Sequence, residues 1–332
     1  MNLRTRIRAA GVLAVTLLVA ACTGSGSTTT PIGSPPVDSP RGLTPSPTAA
    51  SAPESTAAAS AALDGLVLLA DSGGVGLWTE ARGSGWSRAA DASAATAIGG
   101  TAEGLLLAGG STVEVRTLAS LSQPLRSTVL QWRPGTIPTI ESVSASAAGE
   151  LALAVSDGDR TGFATATASG AVSAVDIPDA QPFSPLVAWI DGSRRVVLTT
   201  DARQVSRLAV SAKPGEYQPL AAIEGCRWFA VSADGKTIAV ATDDAVFAGS
   251  TAAVLAGTAP GAISQVAAGA VVWDLALDAS GTRLAFLTGT VGADGTVSAP
   301  TEVVYQRAAA AWAQSAEVDA PAARIIGQAW AG

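Results

Sequence analysis

The stretch RWFAVSADGKTIAVATDD, Arg227 to Asp244, holds two short apolar runs separated by Ala233, Asp234, Gly235 and Lys236. Apolar runs of this length around an acidic residue and a glycine predict two antiparallel strands joined by a tight turn. The acidic side chain can bond the backbone of the turn, and the glycine supplies the left-handed conformation that the turn needs. One hairpin alone is marginal in water, so its meaning depends on whether the pattern recurs.

It recurs. LALDASGTRLAFLTG (Leu275 to Gly289) and LVAWIDGSRRVVLTTD (Leu186 to Asp201) follow the same plan. Looser copies are VSASAAGELALAVSDG (Val143 to Gly158), AIGGTAEGLLLAGG (Ala97 to Gly110) and ALDGLVLLADSGG (Ala62 to Gly74). The turn glycines Gly65, Gly104, Gly149, Gly192, Gly235 and Gly281 are spaced by 39, 45, 43, 43 and 46 residues. A period near 40 to 45 is the mark of four-stranded propeller blades.

Two further strand-like runs follow the better hairpins: AVFAGS and AAVLAG after Gly235, QVSRLAVS and YQPLAAI after Gly192, EVVYQRA and a run around Trp312 after Gly281. Four short antiparallel strands bury their faces only by stacking on neighbouring blades. The expectation is an all-β, six-bladed β-propeller over residues 63–332. The first run, GLVLLADS, follows a polar spacer, and the final run, RIIGQAW (Arg324 to Trp330), reads as an inner strand. The C-terminal strand is therefore expected to join the N-terminal blade and remove an open edge. Seven blades, with a unit hidden in Thr251 to Ala270, or a pair of β-sandwiches are the alternatives, and the even spacing argues against both.

The chain opens with Arg4, Arg6 and Arg8, the apolar run Ala9 to Ala21, and Cys22. Thirteen apolar residues are too few to span a bilayer, which takes about 20, so residues 1–21 are expected to be an export signal. Residues 22–62, rich in Ser, Thr, Pro and Ala, bury too little to offset their ordering entropy and are expected to form a disordered linker. Without the signal the chain keeps 17 of its 20 basic residues against 27 acidic ones, about −10. So acidic a surface has little means of neutralising phosphates, which excludes nucleic acid as a partner. Cys226 is the one other cysteine. No internal disulfide is available if Cys22 carries lipid, and Cys226 is expected to be a small buried residue, with an intermolecular disulfide as the minor alternative.

The motif FAVSADGKTIAVAT is similar to the WSPDGKxIAF signature of TolB-like six-bladed propellers, a WD40-like architecture, and the segment LVAAC ending at Cys22 resembles a bacterial lipobox. Together with the Ser/Thr/Pro spacer this looks like an actinobacterial-type exported lipoprotein. The resemblance implies lipid attachment (palmitate among the acyl chains) at Cys22 and a place on the outer face of the cytoplasmic membrane, in the cell envelope.

Histidine is absent, and the one asparagine, Asn2, lies in the signal. A Ser-His-Asp triad and His-based zinc sites are thereby excluded. By family resemblance, propeller lactonases and quinone-dependent dehydrogenases rely on Asn or His, so neither a cofactor nor such an activity is expected. Carboxylates remain. Asp71, Asp157, Asp159, Asp201, Asp243 and Asp244 follow the second strand of their units, in loops that share one face of a propeller with the connections between blades. They are candidates for a rim that binds a cation or cationic ligand, metal identity open; aspartates that merely cap turns are the plainer alternative. GTVGADGTVSAP (Gly289 to Pro300) lengthens the same class of loop in the last unit. DSGGVG at Asp71 resembles a phosphate loop but has no helix after it. Trp189, Trp228, Trp273 and Trp330 fall on or beside inner strands, and Trp78, Trp86, Trp132 and Trp312 on outer ones. The functional expectation is a non-catalytic binding or scaffold module, membrane-anchored through Cys22, for a protein or cell-envelope polymer. The alternative is a carboxylate-dependent hydrolase of envelope glycans.

Overall fold

The computed structural model describes residues 61–80, 85–133, 138–157, 160–176, 185–200, 205–213, 215–291, 297–309 and 311–332. The signal, Cys22 and nearly all of the 22–62 linker lie outside the described residues, as do Asp159 and Asp201. Among the described residues no helix is long and apolar enough to cross a membrane.

The strands, in chain order, are β1 (Leu66–Asp71), β2 (Val75–Glu80) and β3 (Trp86–Asp91); β4 (Ala97–Thr101), β5 (Gly104–Gly109), β6 (Thr112–Arg116) and β7 (Arg126–Val129); β8 (Thr139–Ala145), β9 (Leu151–Asp157) and β10 (Arg160–Ala166); β11 (Val187–Trp189), β12 (Arg195–Thr200), β13 (Ser206–Lys213) and β14 (Glu216–Glu224); β15 (Trp228–Val231), β16 (Thr237–Ala241), β17 (Ala245–Ser250) and β18 (Gly261–Gln265); and β19 (Ala270–Leu277), β20 (Arg283–Val291), β21 (Val297–Ala308), β22 (Ala311–Asp319) and β23 (Arg324–Trp330). They form six antiparallel sheets, and the first has the order β23-β1-β2-β3. Blades 1 to 6 are numbered here from that sheet along the chain. The innermost strands β4, β8, β11, β15, β19 and β23 neighbour one another in a closed cycle.

Closure is by backbone pairing. Leu66 lies opposite Trp330, Val67 opposite Ala329 and Leu68 opposite Gln328. The Ala331 N–H donates to the Gly65 carbonyl at 2.8 Å, so Gly65 stands where the other five blades have a covalent turn between first and second strands. All six repeat glycines thus occupy equivalent places. Gly235, at φ +71°, also needs its missing side chain for space: a Cβ would come within 2.1 Å of the Ile190 carbonyl of the preceding blade. Gly192 needs neither, because nothing lies within 4 Å and its φ is not left-handed.

Second strands are apolar without interruption because each is covered on both faces. In β9, Leu151, Leu153 and Val155 pack toward blade 2 while Ala152 and Ala154 pack toward blade 4. Six buried clusters result, one in each seam between neighbouring blades. Leu-rich second strands therefore hold each blade between two others, and the core is distributed around the ring.

Three expectations are corrected. AAVLAG is not a strand: Thr251–Leu255 forms a one-turn helix, α1, which buries Thr251 and Val254, and the fourth strand of blade 5 is Gly261–Gln265. Ala252, Ala253 and Leu255 suit a helical turn, and Val254 gains burial against blade 4. Among the described residues blade 3 has three full strands, its fourth position being taken by bridges from Val172 to Ala166 and from Asp176 to Phe163. The two flanks of the expected loop Gly289 to Pro300 are ladder, for β20 and β21 remain paired out to Val291 and Val297, and 292–296 lie outside the described residues.

Candidate functional site

In every blade the turn between second and third strands and the connection to the next blade lie at the same end of the sheets, which defines one face of the ring. Asp71 ends β1, Asp157 ends β9, and Asp243 and Asp244 form the turn between β16 and β17, so the four described members of the expected rim share that face. They do not form a cluster. No group of three or more acidic, His or Cys side chains suited to a metal occurs among the described residues.

Local chemistry explains two of the four. Asp71 accepts a hydrogen bond from the Gly74 N–H at 2.9 Å, capping its own turn, and lies 3.7 Å from Arg324 at the start of β23. Asp243 receives two bonds of 2.9 Å from the Arg227 guanidinium, at the start of β15. An exposed forked pair of this kind contributes about 0–1 kcal/mol, so its main effect is to neutralise the carboxylate and set its orientation. Asp157 and Asp244 are exposed on the same face.

Between blades 4 and 5 this face opens into a groove of about 340 Å³ lined by Ile223, Glu224, Gly225, Thr242, Asp243, Asp244, Phe247, Ala259 and Pro260. Phe247, Ile223 and Pro260 give it an apolar lining, and three carboxylates stand around it. Glu224 is bonded to Arg207 at 2.9 Å and Asp243 to Arg227, which leaves Asp244 as the acidic group of the groove without a cationic partner among the described residues. The volume is at the small end of ligand-site sizes and suits an inserted side chain or a short polymer unit. The β20–β21 ladder reaches the same face from blade 6.

The opposite end carries turn chemistry of a different kind. Asp191 accepts from the Ser193 and Arg194 N–H groups, each at 2.8 Å, and from Arg194 Nε. Burial alone would raise its carboxyl, but these bonds prevail and bring it down to about 2. Asp234 accepts from Ser232 and Lys236, and Asp278 from Thr282 and Arg283. These aspartates beside the repeat glycines have structural roles.

Cys226 is fully buried and free, and burial pushes its thiol well above the usual range. Of the tryptophans expected on inner strands, Trp189, Trp228, Trp273 and Trp330 are all there; Trp330 is buried with its Nε1–H donating to the Ala276 carbonyl at 3.2 Å. Sequence reasoning missed the charged groups that lie between blades. Tyr217 donates to the Asp176 carboxylate, which also accepts from the Gly215 N–H at 2.6 Å, tying blade 4 to blade 3. Asp274, half-buried on β19, accepts from the Gln328 backbone N–H of β23 at 2.7 Å, and Glu302 on β21 has no exposed surface. The arginine partners of the rim were missed as well, because they start inner strands far from the turns.

No family model and no curated protein matches this sequence. Among solved structures the chain is similar to TolB from Acinetobacter baumannii, with a TM-score of 0.54 and 12% identity over 81% of this chain and 67% of that one. It is also similar to a chain of a nidogen–laminin complex, with a TM-score of 0.51 and 11% identity over 80% of this chain and 97% of that one. The WD40 propeller domain of Doa1 aligns at 0.45 and 16% identity, over 80% and 83%. At such identities the likeness is one of fold, and the fold is the six-bladed β-propeller seen in TolB.

Proposed function

We propose that this protein is an extracytoplasmic lipoprotein, tethered through Cys22, whose propeller binds a protein or cell-envelope polymer without catalysis on the face that carries Asp71, Asp157, Asp243 and Asp244. The observation that carries the proposal is the groove between blades 4 and 5: an apolar lining edged by Asp244, a carboxylate without a cationic partner among the described residues. A basic side chain or a cationic polymer unit fits that chemistry. The presence of a similarly folded chain in the nidogen–laminin complex supports a protein partner. Hydrolysis needs two carboxylates about 5 to 9 Å apart in an open cleft. The rim carboxylates are scattered and exposed, and the pair Asp274 and Glu302 lies within a closed seam, which favours binding.

Two measurements test this. Cys22→Ala in the producing cell is expected to move the protein from the membrane fraction to the soluble one; retention in the membrane would overturn the anchor. Asp244→Lys in the full chain is expected to reduce recovery of the co-purifying envelope component at least tenfold, while Lys at Glu103, on the opposite face, leaves it unchanged. Equal recovery from both variants would overturn the assignment of the face.

A further inference from the structure

The seam that closes the ring contains two carboxylates that neither the turns nor the rim explains. By register, Asp274, Leu287, Glu302 and Val318 form one row across blade 6. That row is on the face where Ala276, Ala285 and Val304 pack against Leu66 and Trp330 of blade 1. Asp274 accepts from the Leu275 N–H at 2.8 Å and the Gln328 N–H at 2.7 Å. With the Gln328 amide nitrogen turned toward Glu302, it donates to both carboxylate oxygens, at 2.9 and 3.0 Å. These are neutral donors, and a buried pair of negative charges needs more.

The cations on the facing elements are otherwise engaged. Arg283 lies 4.2 Å over the Trp330 ring and is bonded to Asp278 and the Asp64 carbonyl. Arg88 of β3, in the row of Gln328, Leu68 and Trp78, is held by Asp91 and the Val75 carbonyl. Arg324 is beside Asp71. Blade 3 supplies an internal comparison. Ser142 also follows an inner-strand bulge seven residues before its repeat glycine, and its Oγ meets the Val187 backbone of the next blade at 3.5 Å. The seam between blades 3 and 4 thus does this bonding with a neutral hydroxyl, and the closing seam does it with a carboxylate.

We propose that protonation of Asp274 and Glu302, which Gln328 of β23 joins through its backbone N–H and its side-chain amide, latches the ring shut, so that pairing of β23 with β1 is tight in mildly acidic surroundings and loosens as the two carboxyls ionise. Burial raises the Asp274 carboxyl to about 7, and burial together with Asp274 raises Glu302 well above the usual range. Folded-state values above the unfolded ones near 4 mean that the latch contributes fully below about pH 4 and loses strength as the pH rises through 7.

The test is amide hydrogen exchange on the full chain between pH 5 and 9, corrected for intrinsic rates, with thermal midpoints beside it. Protection of Leu66 to Leu69 is expected to fall at least tenfold relative to Ile238 to Ala241 in blade 5. Glu302→Gln and Asp274→Ser, the latter copying blade 3, are expected to flatten that difference and to melt above the wild type at pH 9. A parallel loss of protection in both blades would overturn the proposal, as would a wild-type pH profile in Glu302→Gln. So would calcium restoring protection at pH 9, which would make a cation the neutralising group. If neither variant folds, the wild-type comparison of the two blades decides.

Discussion

Trp330→Ala tests the contact on which ring closure rests. The side chain is 1% exposed, packs with Leu63, Leu66, Ala276 and Val304, bonds the Ala276 carbonyl through Nε1 and lies under the Arg283 guanidinium. A buried indole covers about 200 Å², which at about 25 cal/mol per Å² gives an upper bound near 5 kcal/mol. Large-to-small changes of this type cost about 3–5 kcal/mol, and an orphaned carbonyl adds about 1. The expected loss is about 4–5 kcal/mol, or a drop in melting temperature of roughly 10 °C for a domain of this size. Trp312, on the outermost strand of blade 6 and only half-buried beneath Arg307, is the control; its change to alanine should cost about 1–2 kcal/mol. Urea unfolding of both variants, with the slope m compared to the wild type, measures the difference. Equal losses for Trp330 and Trp312 would refute the reasoning that the closing strand carries more than its share of stability.

Gly235→Ala should cost about 2–4 kcal/mol from a positive φ and a backbone clash, whereas Gly192→Ala should stay within about 0.5, both read from denaturation midpoints. Tyr217→Phe removes the bond to Asp176 between blades 3 and 4 and should destabilise by about 1–2 kcal/mol in the same assay. The Cys226 thiol should resist a thiol-reactive dye at pH 8 in the native protein and react stoichiometrically in urea. Asp191, whose carboxyl is depressed to about 2, stabilises the fold above the unfolded carboxylate range near 4 and loses that contribution as the pH falls toward 2. Asp191→Asn should therefore lower stability slightly at pH 6 and leave it unchanged at pH 2.

The turn glycines made the ring legible in the sequence, because one backbone requirement recurs once per blade and leaves a period that strand propensity alone would not. Even the unclosed turn at Gly65 fell into that period, with the tail strand as its other half. AAVLAG was misread because a short run of Ala, Val and Leu has no periodicity to separate a helical turn from a strand, while the true strand, GAISQ, is largely exposed and weakly apolar. Glu302 was missed for a different reason. A glutamate alternating with Val303 in a strand reads as solvent-facing, but in a ring of blades that second face meets a neighbour. The rim was legible only as positions at turns; the salt bridges from Arg227 and Arg324 join residues that the fold, not the chain, brings together.

The claim that one face binds is tested most directly by placing a photo-reactive amino acid at position 244 or at position 193 of the lipidated protein in its own envelope. Irradiation is predicted to yield a discrete crosslinked species from position 244 and none from position 193. A crosslink from position 193 alone, or equal labelling from both, would contradict the account.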